Sequence, residues 1–339
     1  MKEIRIGLLG LGRIGRLHAA NLAHSVPGAR LVAAADPYLN EEGIAFGQSL
    51  GIQRMSRDEE DIFAASDIDA VFICSPTATH PDFICRAAAA GKHIFCEKPI
   101  GLELGEIDTA LEAVEKAGVK LQLGFVRRFD RNHKKVRDVV ASGRMGEPHL
   151  VKVCSRDPEQ PPEDYVAVSG GIFVDMMIHD FDMARYLAGS EVLEVMAYGA
   201  NKVDPFFAKY DDVDTAIVML KFANGAIGVI DNSRAARYGY DQRVEVHCDK
   251  GCVQDGNERI DTSVISTAQG VLYEKPTWFF LERYNDAFIS EAAAFVDAIQ
   301  HDHKPPVDGQ DGLMALLIAM AAKRSLEENS PVRISEIQG

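Results

Sequence analysis

The feature that most constrains this chain is a glycine-rich turn, Gly10-Leu11-Gly12-Arg13-Ile14-Gly15, between an apolar run and an amphipathic segment. A GxGxxG turn alone is weak evidence, because glycine turns are common. Here it follows a predicted strand at residues 4–9 and opens a predicted helix. An acid, Asp36, ends the next strand about 20 residues later, as the dinucleotide-binding fingerprint requires. The alternative is a glycine turn in an α/β domain that binds no nucleotide.

The first 125 residues continue this alternation of short apolar runs and amphipathic segments. The predicted strands are 4–9, 29–36, 70–74, 93–96 and 121–124. The predicted helices are 13–23, 41–50, 81–90 and 106–117. Strand–helix alternation predicts a parallel sheet with helices on both faces. We therefore expect a dinucleotide-binding Rossmann domain over residues 1–125.

Each residue of the fingerprint has a distinct expected task. Gly10 allows the tight turn, Gly12 lets the backbone approach the pyrophosphate, and Gly15 lets the helix pack closely on the sheet. Asp36 would accept hydrogen bonds from the adenosine ribose and would repel a 2′-phosphate, which favours NAD over NADP. The expected cofactor contacts in this region are Gly10, Gly12, Arg13, Ile14 and Asp36.

Two further loops follow predicted strands of the same sheet. One carries Ser75, Thr77 and His80, and the other reads Glu97-Lys98-Pro99. Open α/β sheets bind their ligands at the carboxyl ends of the strands, so both loops are expected at the cofactor. Lys98 taken alone would be a surface lysine, but this position favours a place opposite the nicotinamide.

The second half, residues 126–339, is predicted to be a substrate-binding and oligomerisation domain with an open, mostly antiparallel sheet and helices, of which the last ones can pack back on the first domain. Its β-rich segments are 148–156, 191–199, 213–222, 226–234 and 242–247. Asn224-Gly225 indicates a hairpin. The segment 213–222 is apolar on both faces, whereas a half-exposed strand should alternate. One face can pack on a predicted helix at 172–187. The other face needs a second cover, either another subunit or the C-terminal helices predicted at 282–300 and 310–327.

Residues 170–182 resemble the start of a buried helix that carries a polar stripe. Asp175 and His179 are four residues apart and Asp182 is three further on, so a continuous helix would place them on one face. Burial of charge needs a compensating partner. The stripe is either an Asp–His pair satisfied within a core or a general base, His179, oriented by Asp175.

Composition excludes several classes of function. The 339 residues are 47% hydrophobic and 26% charged, with a formal charge of −15, which argues against nucleic acid and anionic membranes as partners. The six cysteines are scattered and form no CxxC pair, so neither a zinc cluster nor a disulfide framework is predicted. The sequence starts without a signal-peptide pattern, and we expect a cytoplasmic protein.

The motifs together resemble the glucose–fructose oxidoreductase/inositol dehydrogenase family. The glycine turn is shared by many Rossmann proteins, whereas Glu97-Lys98-Pro99 and the segment 175–180 are specific. The segments 170–182, 212–216, 231–234 and 238–242 resemble the inositol dehydrogenases within it. The resemblance implies NAD-dependent oxidation of a cyclic polyol, with myo-inositol the first candidate, and a homo-oligomer, specifically a homotetramer.

The resemblance also implies roles for individual residues. Lys98, Asp175 and His179 would be catalytic, with His179 the base, and the site would contain no metal. The residues expected at the substrate are Arg127, Asp157, Asp175, His179 and Tyr240. For Arg127 the alternative is a surface ion pair, and for nearby Tyr238 it is ordinary packing within the sheet.

Three alternative functions remain at this point. The first is a dehydrogenase that acts on another inositol isomer or on a pyranose sugar, with NADP as an alternative cofactor. The second is a nicotinamide-binding sensor without turnover. The presence of Lys98, Asp175 and His179 counts against a sensor, because a sensor need not retain a base. A metal-dependent hydrolase could use Asp175, His179 and Asp182 as ligands, but the sequence nearby lacks further spaced histidines.

Overall fold

The computed structural model describes residues 3–337. Within this range the chain divides into two structural units. The first contains the described residues up to Phe129 together with Asp286–Leu313, and the second contains Asp130–Asn285 and the described residues from Met314 onward. The first unit therefore extends four residues past the expected boundary and includes a segment from near the C-terminus.

The first unit is built from six short strands and the helices that connect them. Its strands are β1 Ile4–Leu9, β2 Ala29–Ala35, β3 Arg54–Ser56, β4 Ala70–Ile73, β5 His93–Cys96 and β6 Leu121–Leu123. Its helices before residue 129 are α1 Arg13–His24, α2 Glu41–Ser49, α3 Glu60–Phe63, α4 His80–Ala89 and α5 Leu104–Ala117.

These strands form one parallel sheet in the order β3-β2-β1-β4-β5-β6. This is the order of a Rossmann sheet, so the predicted fold class is confirmed. The five predicted strands end within one residue of the observed ends. Strand β3 was not predicted, because three partly exposed residues give no apolar run.

The core of this unit is completed by a helix from near the end of the chain. Phe72 of β4 and Phe95 of β5 stack with ring centroids 4.4 Å apart, and Phe295 packs edge-on against both. The side-chain amide of Gln122 donates to the Glu291 carbonyl oxygen at 2.8 Å. The segment 286–313 is therefore an integral part of the first unit.

The second unit contains a larger sheet, a small exposed hairpin and several helices. Its strands are β7 Pro148–Arg156, β8 Val192–Ala200, β9 Thr215–Phe222, β10 Ile227–Ser233, β11 Asp241–Cys248, β12 Gly251–Asp255, β13 Val264–Thr267, β14 Gly270–Tyr273 and β15 Val332–Arg333. The remaining helices of the chain are α6 Arg131–Ala141, α7 Glu163–Val166, α8 Gly171–Asp175, α9 Ile178–Ala188, α10 Phe280–Arg283, α11 Asn285–Gln300 and α12 Gly309–Glu328.

Seven strands form the larger sheet in the order β12-β11-β7-β10-β9-β8-β15. Only the β7–β10 pair among them is parallel, so the expected mostly antiparallel sheet is confirmed. The Asn224-Gly225 turn joins β9 to β10, as predicted. On β9, Ala216, Val218, Leu220 and Phe222 are buried on one face. On the other face Ile217 and Met219 remain 49% and 47% exposed, so the helices of this chain do not cover them.

The predicted single helix over 172–187 is wrong in one respect, because the structure breaks it into α8 and α9. The Ile172 carbonyl accepts from both Met176 N–H at 3.1 Å and Met177 N–H at 2.8 Å. The second bond spans five residues and closes the α8 turn, and α9 begins one residue later at Ile178. Four-residue spacing on one continuous helix therefore does not describe Asp175 and His179.

A buried polar cluster in the second unit surrounds Arg283. Its guanidinium lies 2.5 Å from Asp130, 3.2 Å from Glu258 and 3.7 Å from Asp255. Asp130 also caps α6 by accepting from the His133 N–H, and the His133 ring lies 3.3 Å from Asp255. One guanidinium is thus shared by three carboxylates.

The cysteines and the helices bear on the surroundings of the protein. All six cysteines carry free thiols, as their scattered spacing predicted. Among residues 3–337, none of the helices combines the length and the apolar character that a membrane span requires.

Candidate active site

The glycine turn of the first unit has the geometry of a phosphate cradle. Gly10 has a φ of +92°, and a Cβ there would lie 2.7 Å from the Cys74 carbonyl oxygen. A Cβ on Gly15 would lie 2.0 Å from the Gly10 carbonyl oxygen, so both positions require glycine. At Gly12, the N-cap of α1, an added Cβ would meet none of the described atoms within 4 Å. This space faces the first turn of a helix, where backbone N–H groups favour an anion, so the turn fits a pyrophosphate.

Asp36 lies immediately after β2 and next to the same turn. Its carboxylate accepts from the Leu11 N–H at 2.6 Å and from the Tyr38 N–H at 2.8 Å. The first bond fixes the acid against the glycine turn that leads into α1. The structure therefore brings together the predicted phosphate turn and the predicted ribose acceptor.

The loop after β4 is held by hydrogen bonds of its own. The Ser75 and Thr79 hydroxyls are 2.6 Å apart, and Thr77 begins the short 3₁₀ turn between them. His80 is buried, with its ring nitrogens 2.7 Å from the Pro99 carbonyl and 2.9 Å from the Ser75 carbonyl. Burial lowers the pKa of His80 although both carbonyl contacts favour the protonated ring. His80 thus joins the loops after β4 and β5, and its contact with the cofactor stays a prediction.

Glu97 follows β5 and turns its carboxylate toward the protein interior. One oxygen lies 2.8 Å from His18 Nε2, and the other accepts from the Lys98 N–H at 3.3 Å. A Cβ on Gly124 would lie 2.9 Å from this carboxylate, so the glycine leaves room for it. Glu97 thus holds the backbone at Lys98, and its contact with the cofactor stays a prediction.

Two buried residues beneath this loop were not predicted from the sequence. His18 lies on α1 and Glu291 on α11, and both side chains are fully buried, with His18 Nε2 4.0 Å from the Glu291 carboxylate. Burial, together with the charge of Glu97, raises the pKa of Glu291 well above its ordinary value. Both causes favour the neutral form of the Glu291 carboxyl group. The only signal in the sequence is an acid within an apolar helix.

Lys98 and Arg127 follow neighbouring strands of the first sheet. Lys98 comes after β5 and is partly buried, whereas Arg127 lies in the 3₁₀ turn Val126–Phe129 after β6 and is 5% exposed. The surface ion pair considered for Arg127 is therefore wrong. Both residues stand at the carboxyl edge of the sheet, as predicted.

In the second unit, Asp175 is the last residue of α8 and is held by two donors. Tyr165 donates its hydroxyl to one carboxylate oxygen at 2.7 Å, and Arg234 donates from Nη1 to the other at 2.9 Å. The same Arg234 nitrogen lies 3.8 Å from Asp157, which was predicted at the substrate. The structure thus places Asp157 and Asp175 around one arginine.

His179 lies in the first turn of α9 and, like Asp175, is partly buried. The other acids of this segment belong to the core. Asp182 is 1% exposed and lies 4.0 Å from Arg185, and Asp180 accepts from the Asn232 side chain at 2.7 Å. Asp182 is therefore a core residue beside Arg185, and the predicted stripe does not continue to Asp175, because the break before α9 separates Asp175 from the helix that carries His179 and Asp182.

The two tyrosines of the 238–242 segment differ in their surroundings. Tyr240 is 5% exposed and packs edge-on against Phe279 and Tyr284, with centroids 6.4 Å and 6.0 Å away. Tyr238 is 45% exposed, and its hydroxyl donates to Asp241 at 2.5 Å. Instead of packing within the sheet, Tyr238 makes a polar contact with Asp241 of β11. The contact of Tyr240 with the substrate stays a prediction.

Potential metal ligands cluster elsewhere within residues 3–337. The two groups with ligand spacing are His18, Glu97 and Glu291, and Asp130, His133 and Asp255. Neither contains Asp175, His179 or Asp182. Arg283 occupies the middle of the second group and is incompatible with a cation there.

Comparison with known proteins matches both units. Residues 4–125 match the oxidoreductase family with an NAD-binding Rossmann fold, and residues 133–254 match the GFO/IDH/MocA C-terminal domain. The chain is 50% identical to the uncharacterized oxidoreductase YrbE of Bacillus subtilis, over 99% of this chain and 98% of the relative. It is 47% identical to myo-inositol 2-dehydrogenase of Thermotoga maritima, over 99% of this chain and all of the relative.

Solved structures show the same similarity. A probable dehydrogenase from Thermotoga maritima is 47% identical with a TM-score of 0.96, covering 98% of this chain and 100% of that one. A scyllo-inositol dehydrogenase from Lactobacillus casei with bound cofactor NAD(H) and scyllo-inositol is 32% identical with a TM-score of 0.90, at coverages of 98% and 100%.

Proposed function

This chain belongs to the GFO/IDH/MocA family of NAD-binding oxidoreductases, and we propose that it oxidises a ring hydroxyl of an inositol. The proposed reaction converts myo-inositol to scyllo-inosose, its 2-keto product, with NAD as the hydride acceptor. The 47% identity to a myo-inositol 2-dehydrogenase over the full chain supports this choice of substrate. The scyllo-inositol in the Lactobacillus casei relative makes another inositol isomer the second candidate.

The observation that carries the proposal is the ordered carboxylate of Asp175 four residues before a partly buried histidine. In the proposed mechanism, His179 takes the proton of the reacting hydroxyl, and Asp175 orients the imidazole and stabilises its cation. Lys98 donates a hydrogen bond to the reacting oxygen and stabilises the charge that develops there. NAD, when bound, supplies the hydride chemistry. Gly12, the start of α1 and Asp36 would hold its pyrophosphate and ribose.

Substrate positioning in this proposal relies on side chains that can bind several hydroxyls at once. Arg127, Asp157 and Tyr240 are proposed to contact the ring together with Asp175 and His179. A pocket of charged and hydroxyl-bearing groups suits a polyol, because every hydroxyl is both a donor and an acceptor. A pyranose sugar presents a similar pattern and remains a substrate to compare.

We propose further that the protein is a homo-oligomer, a homotetramer by family resemblance, that acts in the cytoplasm. The outer face of the large sheet supports the first part. The large apolar side chains on this face, each about half exposed, are Leu193, Tyr198, Ile217, Met219 and Ile227. A contiguous apolar surface of this kind marks a protein–protein contact.

The test measures the absorbance of reduced nicotinamide with NAD and a panel of inositols and pyranoses. We expect turnover to be highest with myo-inositol, and His179→Ala to lower it by roughly 10²–10⁴-fold. His301→Ala is the matched control, because His301 is half-exposed and pairs with Asp297 on α11. Near-normal turnover in His179→Ala would make His179 a packing residue. Cofactor binding without turnover of any member of the panel would favour the sensor.

A further inference from the structure

We propose that Arg234 is a positioning residue for this reaction, which holds the Asp175 carboxylate ionised and aimed for the base. This inference rests on the proposed function, because it concerns the partner of the proposed base His179. Arg234 directly follows β10, and its backbone N–H donates to the Asp214 carbonyl at 2.8 Å. This backbone hydrogen bond fixes the main chain at Arg234, whose side chain reaches Asp175, 59 residues earlier in the sequence.

The contacts of Arg234 are unusual for a buried arginine. Its side chain is 3% exposed, and Nη1 is the nitrogen that reaches Asp175 at 2.9 Å and lies 3.8 Å from Asp157. Nε and Nη2 are buried without a hydrogen-bond partner among the described residues. Buried donors without partners cost free energy, so this arrangement is poor for stability alone. The one close hydrogen bond of the guanidinium goes to Asp175, and Asp157 is the second carboxylate near its charge.

The charges around Asp175 explain why a cation is needed. Asp157 follows β7, and Asp212 precedes β9 and accepts from the Ile172 N–H at 2.9 Å, which holds the start of α8. Burial raises the pKa of Asp212, which favours its neutral form. The positive charge of Arg234 is therefore divided mainly between Asp175 and Asp157.

Removal of the guanidinium would leave Asp175 beside other acids in a partly buried site. The titratable groups around it in the second unit are Tyr165 on α7, Asp157, Asp212 and Arg234, and the proposed base His179 follows four residues later in the first turn of α9. With the only arginine of this set removed, burial and the like charges would raise the pKa of Asp175. A protonated Asp175 cannot stabilise an imidazolium at His179, so activity would require a higher pH.

The first experiment compares Arg234→Met and Arg234→Lys with the wild type. A hydrogen bond to a charged group contributes about 1.5–3 kcal/mol, so Arg234→Met should lower kcat about 10–100-fold. The pH at half-maximal kcat should rise, and NAD binding should be unchanged. Arg234→Lys should restore part of kcat and of the pH profile, because one donor nitrogen makes the contact. Arg185→Met is the matched control, since Arg185 is also buried and pairs with Glu191 at 2.6 Å. It should lower stability without moving the pH profile.

A second measurement needs no turnover and separates this inference from the proposed function. In the wild type, Asp175→Asn should lower the Tm, because it removes the carboxylate that pairs with Arg234. In the Arg234→Met background the same substitution should raise the Tm, because there the Asp175 carboxylate has lost its cation. The opposite sign in the two backgrounds is the expected result. Lower Tm in both, or a kcat–pH profile of Arg234→Met that coincides with the wild type, would reduce Arg234 to a structural residue. A wild type inactive with every polyol would refute the proposed function, and the Tm comparison would still decide the role of Arg234.

Discussion

Replacement of Asp255 by asparagine should stabilise the protein at neutral pH, although Asp255 lies 3.7 Å from Arg283 and looks like part of a favourable ion pair. The guanidinium is already bound closely by Asp130 and Glu258. Burial raises the pKa of Asp255 to about 6; Arg283 lowers it, while Asp130 and Glu258 add to the rise. The ionised form of Asp255 is therefore unfavourable in the folded state.

The size of the effect follows from the shift in pKa. The carboxyl has a pKa of 3.8 when unperturbed and about 6 when folded. Because each pKa unit corresponds to about 1.4 kcal/mol, ionisation of Asp255 costs the folded state about 3 kcal/mol at pH 7. A raised pKa gives stability that is complete below pH 3.8 and is lost as the pH rises through about 6. Asparagine does not titrate and avoids this loss.

The assay is urea unfolding of the wild type and Asp255→Asn at several pH values, followed by the fluorescence of the single tryptophan, Trp278. Trp278 belongs to the same unit as Asp255. Between pH 4.5 and 7, the stability of the variant relative to the wild type should increase by about 2 kcal/mol. The reasoning is refuted if the free energy of unfolding of the variant minus that of the wild type does not change between pH 4.5 and 7, or if it decreases.

Three further predictions concern the cofactor, the reacting oxygen and the subunit contact. Asp36→Ala should narrow the preference for NAD over NADP, measured as the ratio of kcat/KM values; a wild type that uses both equally would remove the basis for this expectation. Lys98→Met should lower kcat by roughly 10²-fold, the cost of one donor to a developing charge, with little change in NAD affinity by calorimetry. A loss confined to NAD affinity would instead make Lys98 a cofactor ligand. Ile217→Lys should convert a multi-subunit sedimentation profile into that of one subunit, whereas a monomeric wild type would contradict the proposed contact.

The sequence was sufficient for five of the six strands of the first unit and for its glycine turn, because their signals are local. Each strand of the parallel sheet that was predicted is largely buried and appears as a short apolar run, and the glycine turn is defined within six residues. The longer strands of the second unit, β7 to β11, were also predicted, because each appears in the sequence as a β-rich apolar segment. Strands β12, β13, β14 and β15 were missed, since they are short or exposed and depend on pairing for their conformation.

The candidate site was less predictable, because its side chains contact residues that are distant in the sequence. The spacing of Asp175 and His179 was visible, but the break at Met176 and Met177 depends on which N–H groups reach the Ile172 carbonyl. Arg234 lies 59 residues from the carboxylate it contacts, and its motif gave no indication of that partner. Likewise, the burial of Glu291 cannot be read from an amphipathic helix pattern, in which a single acid normally faces water.

The late position of α11 has a consequence for synthesis of the protein. Phe72 and Phe95 are translated early, but Phe295, which packs against both, leaves the ribosome more than 200 residues after Phe72. At synthesis rates of about 5–20 residues per second, the nascent Rossmann sheet exposes these rings for roughly 10–40 s. The cofactor-binding half is therefore not complete as an N-terminal fragment. It depends on the second unit being made first, and during that interval its aromatic core is available to chaperones or to aggregation.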